Sequence, residues 1–172
     1  MQQLEIVAVT ARDIAQLQQI GKQTFYETFA ASNTAANMQQ YLNDSFASDR
    51  LTAELQDPNA AFYFAKVDDN VVGYLKINFG HSQTELKDNN AVEIERIYVV
   101  KELHGQRVGQ LLYNKAIEIA QARKASYIWL GVWEENLRAI NFYKKNGFVE
   151  FDKHVFRLGN DEQTDIMMKR DL

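Results

Sequence analysis

The sequence predicts a mixed α/β (α+β) fold, with a central sheet of six to seven strands flanked by four to five helices. Apolar residues recur at helical spacing near the start of the chain and again over residues 107–124, whereas strand-like apolar runs occupy much of the remainder. With 172 residues, of which 46% are hydrophobic, the chain is long enough to bury a core as a single domain over residues 1–172.

Composition excludes several classes of protein. The chain has no cysteine, which excludes disulfides, thiolate metal sites and a cysteine nucleophile. A formal net charge of −4 disfavours nonspecific nucleic-acid binding, which depends on Lys and Arg at phosphates. No apolar run approaches the roughly 18–20 residues that span a bilayer, and the first residues do not resemble a signal peptide. We therefore expect a cytoplasmic protein that binds neither nucleic acid nor membrane.

The first sixty residues predict one strand followed by helices. Residues 4–9 form the strand, and Thr10 is a suitable N-cap for a helix that runs to about residue 30. Asn33-Thr34 interrupts this pattern and can cap a second helix. Ser48 is expected to cap a third, short helix that ends before Pro58.

The middle of the chain predicts strands. Residues 61–67 and 71–79 form a hairpin, because the Asp68-Asp69-Asn70 sequence between them is a turn signal. Residues 80–90 are polar and predict a loop, and residues 91–100 return to a strand. The remaining elements are a helix over about 107–124, a strand over 126–133, a helix over 136–146 closed by Gly147, and a strand pair over 148–158 and 164–169.

The turn at residues 104–109 lies between a predicted strand and a predicted helix. Unpaired N–H groups and the dipole at such a helix start favour a phosphate group. Gly105 and Gly109 would let the backbone approach the phosphate closely. The same glycines also fit an ordinary strand-to-helix turn, and their spacing matches neither a Walker loop nor G-x-G-x-x-G.

Glu93 and Glu95 are two residues apart on a predicted strand, so both should point to one face together with Ile97 and Val99. A partly buried carboxylate in this position can act as a base or bind a cation. A salt bridge to Arg96 or a lysine is the structural alternative.

A tyrosine and three histidines complete the candidate residues. Tyr143 shares a helical face with Ile140, and its default role is a core tyrosine whose hydroxyl finds a partner. His81, His104 and His154 show no metal-ligand spacing, so no metal site is predicted.

In order and spacing, residues 92–148 resemble the GNAT superfamily of acetyl-CoA-dependent N-acetyltransferases. The family's pyrophosphate turn, Q/R-x-x-G-x-G/A, falls on His104-Gly105-Gln106-Arg107-Val108-Gly109, with His in the first position and Arg107 in place of the middle glycine. The pattern N-x-x-A-x-x-F-Y-x-x-x-G-F is complete, in Asn136, Ala139, Phe142, Tyr143, Gly147 and Phe148. The segments EIERIYV, IWLGVWEEN, FYKKNGF and EQTDIMMK are most similar to bacterial PaiA-type spermidine/spermine acetyltransferases.

The resemblance implies a mostly antiparallel sheet and acetyl-CoA as co-substrate, with no metal. It implies that backbone groups of Ile97, Tyr98 and Val99, together with Asn136, hold the pantetheine arm, and that residues 104–109 hold the pyrophosphate. We expect Arg107 to adopt helical dihedrals at the helix start, where no glycine is needed and its guanidinium can meet phosphate. In this family Tyr143 would protonate the departing thiolate.

The acceptor amine must lose a proton before it attacks, because an alkylammonium has a pKa of about 10. Glu93 or Glu95 is the candidate catalytic base, through a water molecule, and the carboxylates would attract a cationic polyamine. Without cysteine, direct transfer in a ternary complex is expected in place of an acetyl-enzyme.

Several alternatives stay open. The acceptor could instead be a peptide or protein N-terminus or another small amine, and a non-catalytic acyl-CoA sensor is an alternative of a different class. The oligomeric state is open, with a homodimer as one alternative.

Overall fold

The computed structural model describes residues 3–172 as a seven-stranded sheet with five α-helices, which confirms the predicted mixed fold. The strands are β1 Leu4–Ala8, β2 Ala60–Val67, β3 Asn70–Phe79, β4 Ala91–Val99, β5 Tyr127–Trp133, β6 Val149–Leu158 and β7 Asp161–Asp171. The helices are α1 Ile14–Phe29, α2 Ala35–Ser45, α3 Ser48–Gln56, α4 Val108–Ala122 and α5 Leu137–Lys145. The strand order across the sheet is β1-β2-β3-β4-β5-β7-β6, and β4–β5 is the parallel pair in this otherwise antiparallel sheet.

Two cores cover the two faces of the sheet. Helices α4 and α5 bury Leu112 and Ile140 with Leu75, Ile94 and Leu130 on one face. Helices α1 to α3 cover the other face with Leu17, Phe25, Met38 and Leu51, which pack on Phe62, Phe64 and Tyr74. Every helix therefore buries its apolar stripe against the sheet, as its helical spacing predicts. None of the helices in residues 3–172 is long and apolar enough to cross a membrane.

The turn signals are confirmed, with small corrections at two element ends. Asp68 and Asp69 have φ angles of 48° and 72°, which is the geometry of a tight hairpin turn. Helix α3 begins at Ser48, so the N-cap is Ala47 and not Ser48. Strand β7 is longer than the predicted 164–169, because its whole length pairs with β5 or β6.

The loop over residues 80–90 is held in place by one buried glutamine. The Gln83 side chain donates to the carbonyls of Gly80 and Asp88, and it accepts a hydrogen bond of 2.7 Å from the Trp129 indole. This anchoring fixes the position of the next residue, Thr84, above β4.

Strands β4 and β5 part before either strand ends. Their parallel pairing stops at Ile94 and Leu130, although β4 continues to Val99 and β5 to Trp133. Beyond this fork, no strand within residues 3–172 pairs with the edge of β4 that faces β5, so backbone groups there can pair with an extended ligand.

Candidate active site

A β-bulge in β4 lies at the fork. Lys76 pairs with Arg96 and Ile77 pairs with Ile94, so Glu95 is an extra residue without a partner on β3. The bulge reverses the alternation of the side chains, and Ile97 therefore packs in the same core as Ile94.

The expectation that Glu93 and Glu95 share a face with Ile97 and Val99 is therefore wrong. Both glutamates lie on the face covered by α1 to α3, where their partners come from β3 and the 80–90 loop.

Glu93 is held by neutral donors. It is 3% exposed, and it accepts hydrogen bonds from the Asn78 amide at 3.0 Å, the Thr84 backbone at 2.8 Å and the Thr84 hydroxyl at 2.5 Å. Burial raises the pKa of Glu93 above its usual value, although these hydrogen bonds oppose the rise. A carboxylate with a raised pKa is suited to accept a proton near neutral pH.

Glu95 is held by cations. Lys76 Nζ lies 2.5 Å from its carboxylate and Arg96 Nε lies 3.7 Å away. Burial alone would raise the pKa of Glu95, but the charges of Arg96 and Lys76 outweigh burial and lower it. Glu95 is therefore a structural anion, and Glu93 is the better suited of the two predicted bases to accept a proton.

A cavity of about 390 Å³ opens at the fork, beside these residues. Glu93, Glu95, Tyr98, Asn136 and Tyr143 line it, and they are residues that the sequence singles out. Further titratable lining groups were not predicted from the sequence as site residues: Glu85, Arg96, Arg138, His154 and Asp165. The sheet order β5-β7-β6 brings His154 and Asp165 to the cavity, and the EQTDIMMK segment is the sequence signal that contains Asp165.

An acidic group forms one end of this cavity, which we call the acidic end. His154 lies between Glu85, at 3.4 Å, and Asp165, at 3.6 Å, and burial raises the pKa of Asp165. Gly131 on β5 lies beneath them, and a Cβ atom there would come within 3.3 Å of the His154 ring. The absence of a side chain at Gly131 keeps this end of the cavity open.

A second cavity, of about 600 Å³, is lined by the predicted pyrophosphate turn. His104, Gly105, Arg107 and Gly109 line it, as do Ile97, Val99 and Tyr143 from the predicted cofactor site. Four other predicted cofactor residues do not line it: Tyr98 and Asn136 line the first cavity, Val108 is buried in the core, and Gln106 is exposed.

Arg107 does not have the expected helical dihedrals. It is the N-cap of α4 and has φ 70° and ψ 3°, a left-handed conformation that favours glycine. Gly105 also has a positive φ, of 82°. The turn therefore has two left-handed residues. Glycine adopts this conformation without strain, which explains the glycine that the family has in the middle of the turn. Arg107 adopts the same conformation at a cost in strain.

His104 fixes the turn to the end of β4. Its Nε2 lies 2.8 Å from the Val99 carbonyl oxygen, and burial lowers the pKa of the ring. A neutral ring with hydrogen on Nε2 donates to this carbonyl. The ring thus orients the turn. This role differs from direct binding of a phosphate group.

Helix α5 positions Tyr143 at the junction of the two cavities. Asn136 caps the helix by accepting from the Ala139 backbone at 3.3 Å. The helix ends at Gly147, where Phe148 N donates to Tyr143 O. Tyr143 is 7% exposed, and burial raises the pKa of its hydroxyl, so the phenol stays protonated. Tyr143 lines both cavities.

Comparison with known proteins gives consistent matches. Residues 17–148 match the model of the acetyltransferase (GNAT) family. An uncharacterized N-acetyltransferase of Lactobacillus delbrueckii subsp. lactis is 40% identical over 169 residues, covering 98% of each chain. A spermidine N(1)-acetyltransferase of Thermoplasma acidophilum is 20% identical and covers 84% of this chain and 88% of its own. The crystal structure of the Thermoplasma acidophilum PaiA N-acetyltransferase with coenzyme A superposes with a TM-score of 0.81, at 20% identity and 99% coverage of each chain.

Substitution of Arg107 separates backbone strain from ligand binding. Arg107→Gly relieves the left-handed strain, whereas Arg107→Ala keeps it and removes the same guanidinium. We expect Arg107→Gly to unfold with a free energy about 0.5–1 kcal/mol larger than Arg107→Ala, as measured by urea denaturation. Both variants should bind coenzyme A roughly tenfold more weakly, with little change for a pantetheine analogue that lacks phosphates. An equal loss for both ligands would show that Arg107 does not contact phosphate.

Proposed function

The chain belongs to the GNAT acetyltransferase family, and we propose that residues 1–172 act as one domain that transfers acetyl from acetyl-CoA directly to a primary amine of a small molecule. The observation that carries this proposal is the junction of the two cavities at the fork between β4 and β5. Ile97, Val99 and Tyr143 line both of them. A thioester in one cavity can therefore meet an amine in the other beside a protonated phenol.

The residues present suit the co-substrate. The free edge of β4 offers backbone groups to the amides of a pantetheine arm. The turn at 104–109 offers helix-start N–H groups and the Arg107 guanidinium to a pyrophosphate.

The reaction needs three proton movements. Before attack, the ammonium gives one proton, through water, to Glu93, whose raised pKa suits this role, and Glu93 later releases it to solvent. The amine nitrogen then forms a bond to the acetyl carbonyl carbon, the carbon–sulfur bond breaks, and the nitrogen loses its second proton to solvent. The departing sulfur takes a proton from Tyr143, which then recovers it from solvent. The products are an N-acetylated amine and free coenzyme A.

A polyamine is the acceptor class that the sequence resemblance favours. The likeness to the Thermoplasma acidophilum spermidine N(1)-acetyltransferase and the carboxyl groups of Glu85, Glu93 and Asp165 support it. A volume of about 390 Å³ is typical of small-molecule sites, which favours a small amine over a peptide or protein N-terminus.

The proposed function predicts amine-dependent release of free thiol from acetyl-CoA. Purified protein is assayed with spermidine, other small amines and short peptides, and the products are identified by mass spectrometry. We expect thiol release and a product heavier by one acetyl group with at least one small amine. Binding of acetyl-CoA without thiol release with any amine would favour the acyl-CoA sensor instead.

Tyr143→Phe should lower kcat by about 10²–10⁴-fold, because it removes the proton donor for the leaving thiolate. Its affinity for acetyl-CoA should change little, because the ring and its packing against Phe142 and Phe148 remain. Turnover is measured by thiol release and affinity by calorimetry. Tyr113→Phe, in the same core but bonded to Arg170, is the control and should retain kcat. Unchanged kcat in Tyr143→Phe would remove this tyrosine from the acid role.

Substitution of each glutamate in turn should show which of the two, Glu93 or Glu95, acts as the base. A base works only when deprotonated, so kcat at saturating amine should fall as pH decreases through the raised pKa of Glu93. Glu93→Gln should lower kcat and abolish this acidic limb. Glu95→Gln should retain the limb but lose stability, because Lys76 and Arg96 lose one of their two carboxylate partners and keep only Glu54.

Asp165→Asn is the comparison for the Glu93 assignment, since the pKa of Asp165 is also raised. An acidic limb that survives in Glu93→Gln and disappears in Asp165→Asn would assign the base to Asp165.

A further inference from the structure

Arg96 lines the first cavity with much of its hydrogen-bonding capacity unused. Its Nη2 lies 3.3 Å from Glu54 and its Nε lies 3.7 Å from Glu95, both longer than a good hydrogen bond. Lys76 lies closer to both carboxylates, at 2.5 Å from each. The buried Nη1 of Arg96 has no partner within residues 3–172. A guanidinium in this state is suited to a bidentate anion.

Tyr74 carries a second unpaired donor close to Arg96. The residue is 1% exposed, and its buried hydroxyl has no hydrogen-bond partner in the described chain. Burial raises the pKa of this hydroxyl, and Arg96 is the charged group that opposes the rise most, which reflects their proximity. Tyr74 and Arg96 both line the cavity. One ligand oxygen placed between them could satisfy both groups.

Two parts of the cavity therefore differ in what they offer a ligand. Glu85 and Asp165 at the acidic end offer carboxyl groups, whereas Arg96, which lies beside Glu95, and Tyr74 offer unpaired donors; we call Arg96 and Tyr74 the donor end. Glu93 and Arg96 are three residues apart on β4, so their Cα atoms are separated by at most about 10 Å. The rings of Phe25, Phe29, Tyr41, Phe46, Trp133 and Phe156 complete the walls.

From this arrangement we infer that the acceptor is an amino carboxylate, whose carboxylate binds Arg96 and Tyr74 while its amine lies near Glu93. The inference rests on the proposed function and narrows its acceptor class. A polyamine would bring only a second ammonium to the unpaired donors of Arg96 and Tyr74, and an ammonium has no acceptor to offer them. An amino carboxylate instead matches both ends and satisfies two donors that folding leaves buried and unpaired.

Binding of matched ligands tests this inference without requiring turnover. Calorimetry on the complex of the protein with coenzyme A compares δ-aminovalerate, n-pentylamine and cadaverine, which share a five-carbon chain and differ in one terminal group. Spermidine and the amino carboxylates γ-aminobutyrate and ε-aminocaproate extend the set. We expect the best amino carboxylate to bind about 10- to 100-fold more tightly than the alkylamine, the range for a hydrogen-bonded charged group.

Two variants locate the carboxylate. Tyr74→Phe removes only a hydroxyl that has no protein partner, so its stability should be retained or increased. Its affinity for the amino carboxylate should fall about 3- to 30-fold, with no change for n-pentylamine. Arg96→Gln should abolish the preference for the carboxylate. Tyr26→Phe, on an exposed surface of α1, should behave as the unmodified protein.

The inference is overturned if cadaverine, spermidine or n-pentylamine binds as tightly as every amino carboxylate, or if no amino carboxylate binds. An equal loss of both ligands in Tyr74→Phe would also overturn it. Thiol release with amines that shows no carboxylate preference would leave the proposed transfer intact and refute only the donor end. A carboxylate preference in binding without thiol release from any amine would refute the transfer and support the donor end.

Discussion

The feature on which the rest of the structure depends most is that hydrogen bonding between β4 and β5 stops before either strand ends. If β4 and β5 paired over their full length, their backbone groups would bond to each other, and no small molecule could pass from one face of the sheet to the other. Because pairing stops at Ile94 and Leu130, the two cavities can meet at Tyr143. The cost is a strand edge that no other described strand pairs with, and His104 bonds to one of its carbonyls, that of Val99. The other backbone groups of this edge need a ligand or water as a partner. The site is therefore a local defect of the sheet that the remaining pairs on both sides support.

A cluster of four largely buried charges fixes the positions of the elements on the open side of this fork. Lys76 joins Glu54 on α3 to Glu95 on β4, and Arg96 neutralises the remaining charge. Buried ion pairs contribute little net stability, because desolvation offsets their attraction. Their value here is positional: they fix α3 to the bulge. They also leave Arg96 at the cavity wall with donors to spare, which a purely apolar contact could not do.

The sequence was sufficient for the elements and for the residues that follow one another along the chain. Helical spacing predicted α4 and α5, and the resemblance of residues 136–148 to the family pattern indicated the role of Tyr143. Three features could not be predicted from local pattern. The bulge at Glu95 depends on pairing with β3, the left-handed Arg107 depends on the path of the turn, and His154 reaches the site only through the strand order. Each is a consequence of contacts between distant segments.

The pair Glu93 and Glu95 shows how such contacts decide chemistry. Both are glutamates on one strand and both are mostly removed from water, so composition and burial alone would treat them alike. Glu93 meets only neutral donors, and burial therefore dominates and raises its pKa. Glu95 meets Lys76 and Arg96, and their charges dominate and lower its pKa. The extra residue in the strand thus gives the two glutamates different partners. Glu93 can accept a proton, whereas Glu95 keeps Arg96 in place. The base and the group that recognises an anion can therefore operate side by side.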